Sequence, residues 1–239
     1  MKKVILSLVT LLAATTLATA QMRPTIKVEA GANFSNMTAK ANGETKDGDM
    51  LIGYRVGAGV EFGISDGFYI NPGLYFLSRG AKATVEMPTV ETPKIADYSM
   101  KVVSSTWLHN VEIPVHVGYR AAFAPDMAVS IQAGPWFSYG FLGKVSRKTT
   151  ITGEGKIADA AREMAKAADD AVNKGENNPY KTNPKILKPF DLGVGMQAAF
   201  EYRQFGVNLG FEYGLLNTSA FDEAKVNNMN FYVGLGYRF

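Results

Sequence analysis

The sequence predicts an all-β protein: an eight-stranded antiparallel up-and-down barrel that crosses a membrane with its strands. Three observations lead there. Stretches of about ten residues or longer alternate between apolar and polar or small side chains, the period-2 signature of a strand with two different faces. The connections between these stretches are alternately short and long. On the apolar face, aromatic residues gather at both ends of the strands with aliphatic residues between them, as a lipid-facing wall requires.

The elements follow in chain order. Lys2-Lys3, the apolar run Val4 to Leu17 and Ala18-Thr19-Ala20 read as a secretory signal peptide over residues 1–20, with the barrel domain over residues 21–239 starting at Gln21. The run of about 14 residues falls short of the roughly 20 that a membrane-spanning helix needs. The first strand, Ile26 to Ser35, sets Val28, Ala30, Ala32 and Phe34 against Lys27, Glu29, Gly31 and Asn33. Tyr54 to Ile64 sets Val56, Ala58, Val60 and Phe62 against Arg55, Gly57, Gly59, Glu61 and Gly63. Phe68 to Arg79 sets Ile70, Leu74 and Phe76 against Tyr69, Asn71, Gly73, Tyr75 and Arg79, with Leu77 joining the polar set.

The second half repeats the pattern. Trp107 to Arg120 sets Val111, Ile113, Val115, Val117 and Tyr119 against Asn110, Glu112, His116, Gly118 and Arg120. Met127 to Phe141 alternates in the same way and carries Trp136 on its polar face. Phe190 to Tyr202 opposes Asp191, Gly193, Gly195, Gln197 and Glu201 to its apolar residues, and Phe205 to Leu215 opposes Gly206, Asn208, Gly210, Glu212 and Gly214. The last strand, Asn228 to Phe239, puts Met229, Phe231, Val233, Leu235 and Tyr237 on one face, and pairing with the first strand would close the sheet.

Three connections are short: Ser65-Asp66-Gly67, Ala121 to Asp126, and Arg203-Gln204. Four are long: about Asn36 to Met50, Ala81 to Thr106, Leu142 to Lys188, and Leu216 to Asn227. Short periplasmic turns at one end and long extracellular loops at the other match a bacterial outer-membrane barrel, with both termini on the periplasmic side.

The composition of each face decides which one is outside. The polar face is mostly Gly, Asn, Ser and Gln, which suits the narrow interior of an eight-stranded barrel better than a solvated exterior. Its charged residues are Lys27, Arg55, Arg79, Arg120 and Arg238 on one side and Glu29, Glu61, Glu112, Asp191, Glu201 and Glu212 on the other, with His116 among them. Near-equal numbers predict a paired network that fills the lumen, in which Arg238 and Lys27 meet Glu29, Glu61 or Glu201, because unpaired buried charge is expensive. A small gated pore is the alternative. The predicted girdles are Phe34, Tyr54, Phe76, Trp107, Tyr139, Phe190 and Tyr213 at the long-loop end, and Phe62, Phe68, Tyr119, Phe200 and Tyr237 at the other.

Further exclusions follow from what is scarce. There is no cysteine, so neither a disulfide scaffold nor a lipidated cysteine is available. The formal charge of +3 includes Lys2 and Lys3, which leaves nothing that suggests a nucleic-acid partner. A barrel enzyme acting on lipid or peptide would want His beside Ser or Asp, and the sequence has two histidines. His109 and Ser105 share a face but stand about 13 Å apart along a strand. No catalytic residue, metal site or cofactor is expected. The expected partners are outer-membrane lipid and lipopolysaccharide, the barrel-insertion machinery and an extracellular partner at the loops, around a monomer.

The signal peptide, the first strand Val28-Glu-Ala-Gly-Ala-Asn-Phe-Ser35, the stretch Asn71-Pro-Gly-Leu-Tyr-Phe-Leu-Ser-Arg-Gly80 and the aromatic end Gly236-Tyr-Arg-Phe239 carry a resemblance. Together they resemble the outer-membrane β-barrel domain family of the PorT-like type, related in architecture to the small OmpA and OmpX barrels. The resemblance implies no particular activity, since most members lack an assigned one, or, as in a minority of members, an accessory component of secretion; the function expected overall is a structural or surface-interaction role. Tyr237 and Phe239 also resemble the C-terminal signal that such barrels present for insertion.

One loop exceeds a minimal barrel. Between residues 154 and 176 the chain turns Ala-rich and helical in period, with Ile157, Ala160 or Ala161, Met164, Ala168 and Val172 recurring at three and four and Lys174-Gly175 as a stop. The expectation is a helix in the third extracellular loop, packed on the barrel mouth or serving as a docking element.

Overall fold

Backbone N–H and C=O groups cannot be left unpaired in hydrocarbon, and the chain meets that demand by closing its sheet on itself. The structure is a computed structural model that describes residues 24–41, 43–87, 98–175 and 177–239; the expected signal peptide, residues 1–20, lies outside the described residues. Among the described residues nine strands form one antiparallel sheet: β1 Thr25–Ala41, β2 Glu44–Asp47, β3 Leu51–Ser65, β4 Phe68–Met87, β5 Tyr98–Ala124, β6 Met127–Gly153, β7 Phe190–Tyr202, β8 Phe205–Gly214 and β9 Ala224–Arg238. Eight of them pair in sequence order around the ring, and β1 pairs with β9 from Lys27↔Arg238 to Ala41↔Ala224 to close it. The ninth, β2, is a four-residue exposed strand that folds back on the end of β1 within the first long connection.

The three short connections are tight because their sequences allow it. Gly67 takes φ 85° in the β3–β4 turn, and Arg203 takes φ 54° between β7 and β8. Side chains alternate inward and outward as expected. The outward wall exposes Val56, Leu74, Val117, Ile131, Val194 and Leu209, far more apolar area than a water-soluble surface carries, so its solvent is a bilayer.

The strands reach further than the alternation suggested. The β4–β5 ladder runs to Met87↔Met100 and the β5–β6 ladder to Tyr98↔Gly153, so most of Ala81 to Thr106 and the start of Leu142 to Lys188 are sheet, not loop. Beyond the barrel wall both faces of these segments meet water or other chain, so the apolar–polar contrast that marked the wall disappears. The last strand likewise begins at Ala224, ahead of Asn228.

The helix, α1, spans Lys156–Lys174, with Asp159 in its first turn and Lys174 in its last, both favourable to its dipole. It packs along the free edge of the β6 extension, where Asp169 and Asn173 bond its backbone, and the expected apolar stripe is only partly its contact face. Ala158 is buried, whereas Met164 is 74% exposed. Ala fits closely against a strand, and the longer Met is left outside. The mouth of the barrel is covered by the segment after α1: Tyr180 and Leu187 pack on Leu108, flanked by Met37 and Val226.

Candidate functional site

The lumen holds its polar side chains in three levels. Nearest the short turns, Arg120 from β5 and Arg238 from β9 each reach both Glu61 from β3 and Glu201 from β7, at 2.8–3.2 Å. Lys27 lies 2.6 Å from Glu29 and donates to Asn208 Oδ1. At mid-height, Glu29 accepts from Tyr75 Oη, Gln197 Nε2 and Asn208 Nδ2 at 2.7–2.9 Å. Gln197 Oε1 accepts in turn from Gln132 and from Tyr232 Oη, so amide and phenol groups bridge the barrel from β6 to β9.

The third level is the most buried. Arg55 on β3 meets Glu112 on β5 at 2.6 Å and Glu212 on β8 at 3.1 Å, which spans the lumen. Arg79 closes on the other oxygen of Glu112 and lies 3.7 Å from Asp191. Asn230 donates to Glu212 and Asn228 to Asp191. The guanidinium of Arg55 sits 4.0 Å from the Tyr75 ring and 4.5 Å from the Tyr232 ring, and that of Arg79 lies 5.0 Å from Trp136. Each such stack adds to the pairing because the groups are shielded from water. The gap lined by Glu29, Arg55, Asn208 and Tyr232 has a volume of about 10 Å³, room for one water at most.

Small wall residues make this filling possible. A Cβ on Gly210 would fall 2.0 Å from the Tyr232 ring, and one on Gly193 would fall 2.3 Å from the Trp136 ring and 2.2 Å from Tyr213 O. The inward rings therefore lie flat on glycines of neighbouring strands. Tyr75, Trp136 and Tyr232 stand beside the charges as lumen-filling groups; their placement on the polar face was the available sign.

Among the described residues neither histidine is hydrogen-bonded to a carboxylate or to a Ser or Thr hydroxyl. His116 is 1% exposed among the lumen groups. His109 faces outward, with Nδ1 3.2 Å from Tyr54 Oη and the two rings stacked at 5.9 Å. Among the described residues no three His, Cys, Asp or Glu side chains converge to hold a metal ion.

On the outward face the aromatic residues pair across strands. At the long-connection end Phe34 meets Phe231 at 6.3 Å, and Tyr54, Phe76, Tyr139, Phe190 and Tyr213 are exposed, with Trp107 half-buried opposite Lys144. At the short-turn end Phe68 meets Tyr119 at 4.8 Å, Phe205 meets Tyr237 at 5.2 Å, and Tyr237 meets the terminal Phe239 at 4.9 Å, while Phe62 is half-buried. Phe123, which lies past the expected end of its strand, joins this girdle against Phe200.

A closed ring of antiparallel strands with an apolar wall between two girdles and a polar interior defines a β-barrel of the outer-membrane class. The chain belongs to the outer membrane protein beta-barrel domain family, whose model matches residues 19–220. No curated protein matches it in sequence. Solved structures with a similar course include Neisserial surface protein A, 11% identical over 90% of this chain and 97% of that one, with a TM-score of 0.39. Ail, the attachment invasion locus protein of Yersinia pestis, is 13% identical over 91% and 100%, with a TM-score of 0.34. The outer membrane protease OmpT from Escherichia coli is 10% identical over 92% and 98%, with a TM-score of 0.42.

Proposed function

We propose that this is a non-catalytic surface-interaction protein of a Gram-negative outer membrane, a monomer whose lumen is a structural plug and whose working part is the sheet of β4, β5 and β6 above the barrel. In this reading the short turns and both termini are periplasmic. The long connections face outward, toward lipopolysaccharide and an extracellular partner. Tyr237 and Phe239 are read by the barrel-insertion machinery, and no cofactor is used. The secretion-accessory role implied by the PorT-like resemblance is the same reading with a secretion component as the partner.

The observation that carries this reading is the third lumen level. Arg55 joins Glu112 to Glu212 from one wall to the other, stacked between two tyrosine rings, beneath a mouth closed by Tyr180 and Leu187. Such a lumen supports no through-going ion path and no cleft at its outer end, and on this reading the surface offered to the outside is the projecting sheet. The test is single-channel recording in planar bilayers beside cell-surface pull-downs. The plug predicts no stable conductance from the intact protein and a partner lost when residues 142–153 and α1 are shortened. A steady open conductance would favour the pore instead.

A further inference from the structure

Pairing between β6 and β7 stops at Tyr139↔Phe190, yet β6 continues to Gly153. Above that point one side of β6 has no neighbouring strand among the described residues. An edge of this kind, rich in Thr, Val and Ile, is a template for pairing with another chain. Here it is occupied by side chains.

Asn173 of α1 accepts from Arg147 N–H and donates to Arg147 C=O, both at 2.9 Å, the two-bond ring that a residue of an adjacent strand would make. Asp169 accepts from Thr149 N–H at 2.5 Å and from its hydroxyl at 2.8 Å, and also lies 3.2 Å from Arg147 Nε. Arg162 donates to the carbonyls of Ile151 and Gly153. Asn177, just past the helix, donates to Val145 C=O and to Val172 C=O.

The spacing explains why a helix can do this. Four residues of helix advance about 6 Å and two residues of strand about 6.6 Å. Asp169 and Asn173 are therefore in step with Thr149 and Arg147 as the two elements run antiparallel. Arg162, seven residues before Asp169, falls about 10.5 Å away, between the levels of Ile151 and Gly153.

We infer that α1 is a side-chain substitute for a ninth wall strand: it holds shut an edge that would otherwise pair with the same edge of a second copy of this chain. The occupant is a second copy because the segment is self-complementary. An antiparallel pairing centred on Thr149 sets Val145 against Gly153, Arg147 against Ile151 and Lys148 against Thr150, so no like charges oppose. The outward-pointing N–H and C=O groups are those of the odd-numbered residues on both chains, as such a ladder needs. The resulting interface is isologous and closes at two copies; because β6 runs outward from the membrane, the two-fold axis lies across the strand and the two barrels point in opposite directions, as in two apposed membranes or one detergent particle. This inference is independent of whether the lumen conducts.

The test is the mass of the barrel in detergent by light scattering, for the full chain and for the triple variant D169A/N173A/N177A, with heat-modifiable gel migration checking that each barrel is folded. The variant is expected to change from one to two barrels per particle. Adding Thr149→Pro, which removes the N–H at the centre of the edge, is expected to return it to one. A triple variant that stays at one barrel per particle overturns the inference, and so does a dimer that survives Thr149→Pro. If the triple variant does not fold, the same two outcomes are read from a chain in which residues 156–174 are replaced by a Gly-Ser linker of equal length.

Discussion

Glu112 is where the lumen is most sensitive to a single change, because two guanidinium groups close on one carboxylate that is 0% exposed. Glu112→Ala leaves Arg55 and Arg79 short of a counter-charge and is expected to destabilise the barrel by about 3–5 kcal/mol in urea unfolding from lipid vesicles. The exposed Glu163 of α1 serves as the control, with a change within about 0.5 kcal/mol. Gly210→Ala is expected to lower stability by about 1–3 kcal/mol by driving a Cβ into the Tyr232 ring, and Tyr232→Leu should recover part of that loss. The inward charges were legible in the sequence because each falls on the polar side of a period-2 segment. Their partners were only partly so. Arg238 with Glu61 or Glu201 could be guessed from shared height, but Arg55 reaching Glu212 depends on which walls of the closed ring face one another, and the sequence of a single strand carries no such information.

At the scale of elements, the plug over the mouth provides a pH handle. Burial pushes the Tyr180 phenol up to about 12, so the folded chain keeps this proton where the unfolded chain, titrating near 10, has lost it. The unfolded state then binds fewer protons, and stability falls as pH rises from about 10 toward 12, by on the order of 2–3 kcal/mol at most. Tyr180→Phe should flatten that stretch of the stability profile measured by denaturant midpoints, with little effect at neutral pH. The membrane-spanning parts of the strands were readable because lipid and lumen impose opposite chemistry on their two faces. The upper parts of β4, β5 and β6 face no such contrast, and Val145-Ser-Arg-Lys-Thr-Thr-Ile151 shows strand propensity without alternation. The helix announced itself through its Ala-rich 3.6 period, but its function rests on Arg162, Asp169 and Asn173, polar residues that the search for an apolar stripe passes over.

For the whole molecule, closure is the long-range event, since β1 and β9 join residues nearly the full described length apart. The seam is tight at Gly31, which faces Gly234 and whose Cβ would fall 2.1 Å from Val233 O. Gly31→Val is therefore expected to block closure, read as loss of the heat-modifiable band. Phe239→Asp should lower the yield of inserted barrel in cells while leaving stability of the protein refolded in vitro within about 1 kcal/mol, because Phe239 is 72% exposed and contributes mainly Phe239 N–H to Ile26 C=O and a ring contact with Tyr237. The wall is symmetrical in its demands, but the top is lopsided: β5 continues from Trp107 to Tyr98, roughly 30 Å of strand above the girdle. The Debye length at physiological ionic strength is about 8 Å, so the tip stands several screening lengths away from the charged headgroups at its base. On the proposed reading Lys82 and Lys144, at the level of the girdle, lie within reach of headgroup charge, whereas Lys101 and Glu86, paired at 2.8 Å further up, lie beyond it. A ligand of the lower zone would therefore be expected to follow membrane charge and salt, and a ligand of the upper zone to be electrically blind to the membrane that carries the sheet.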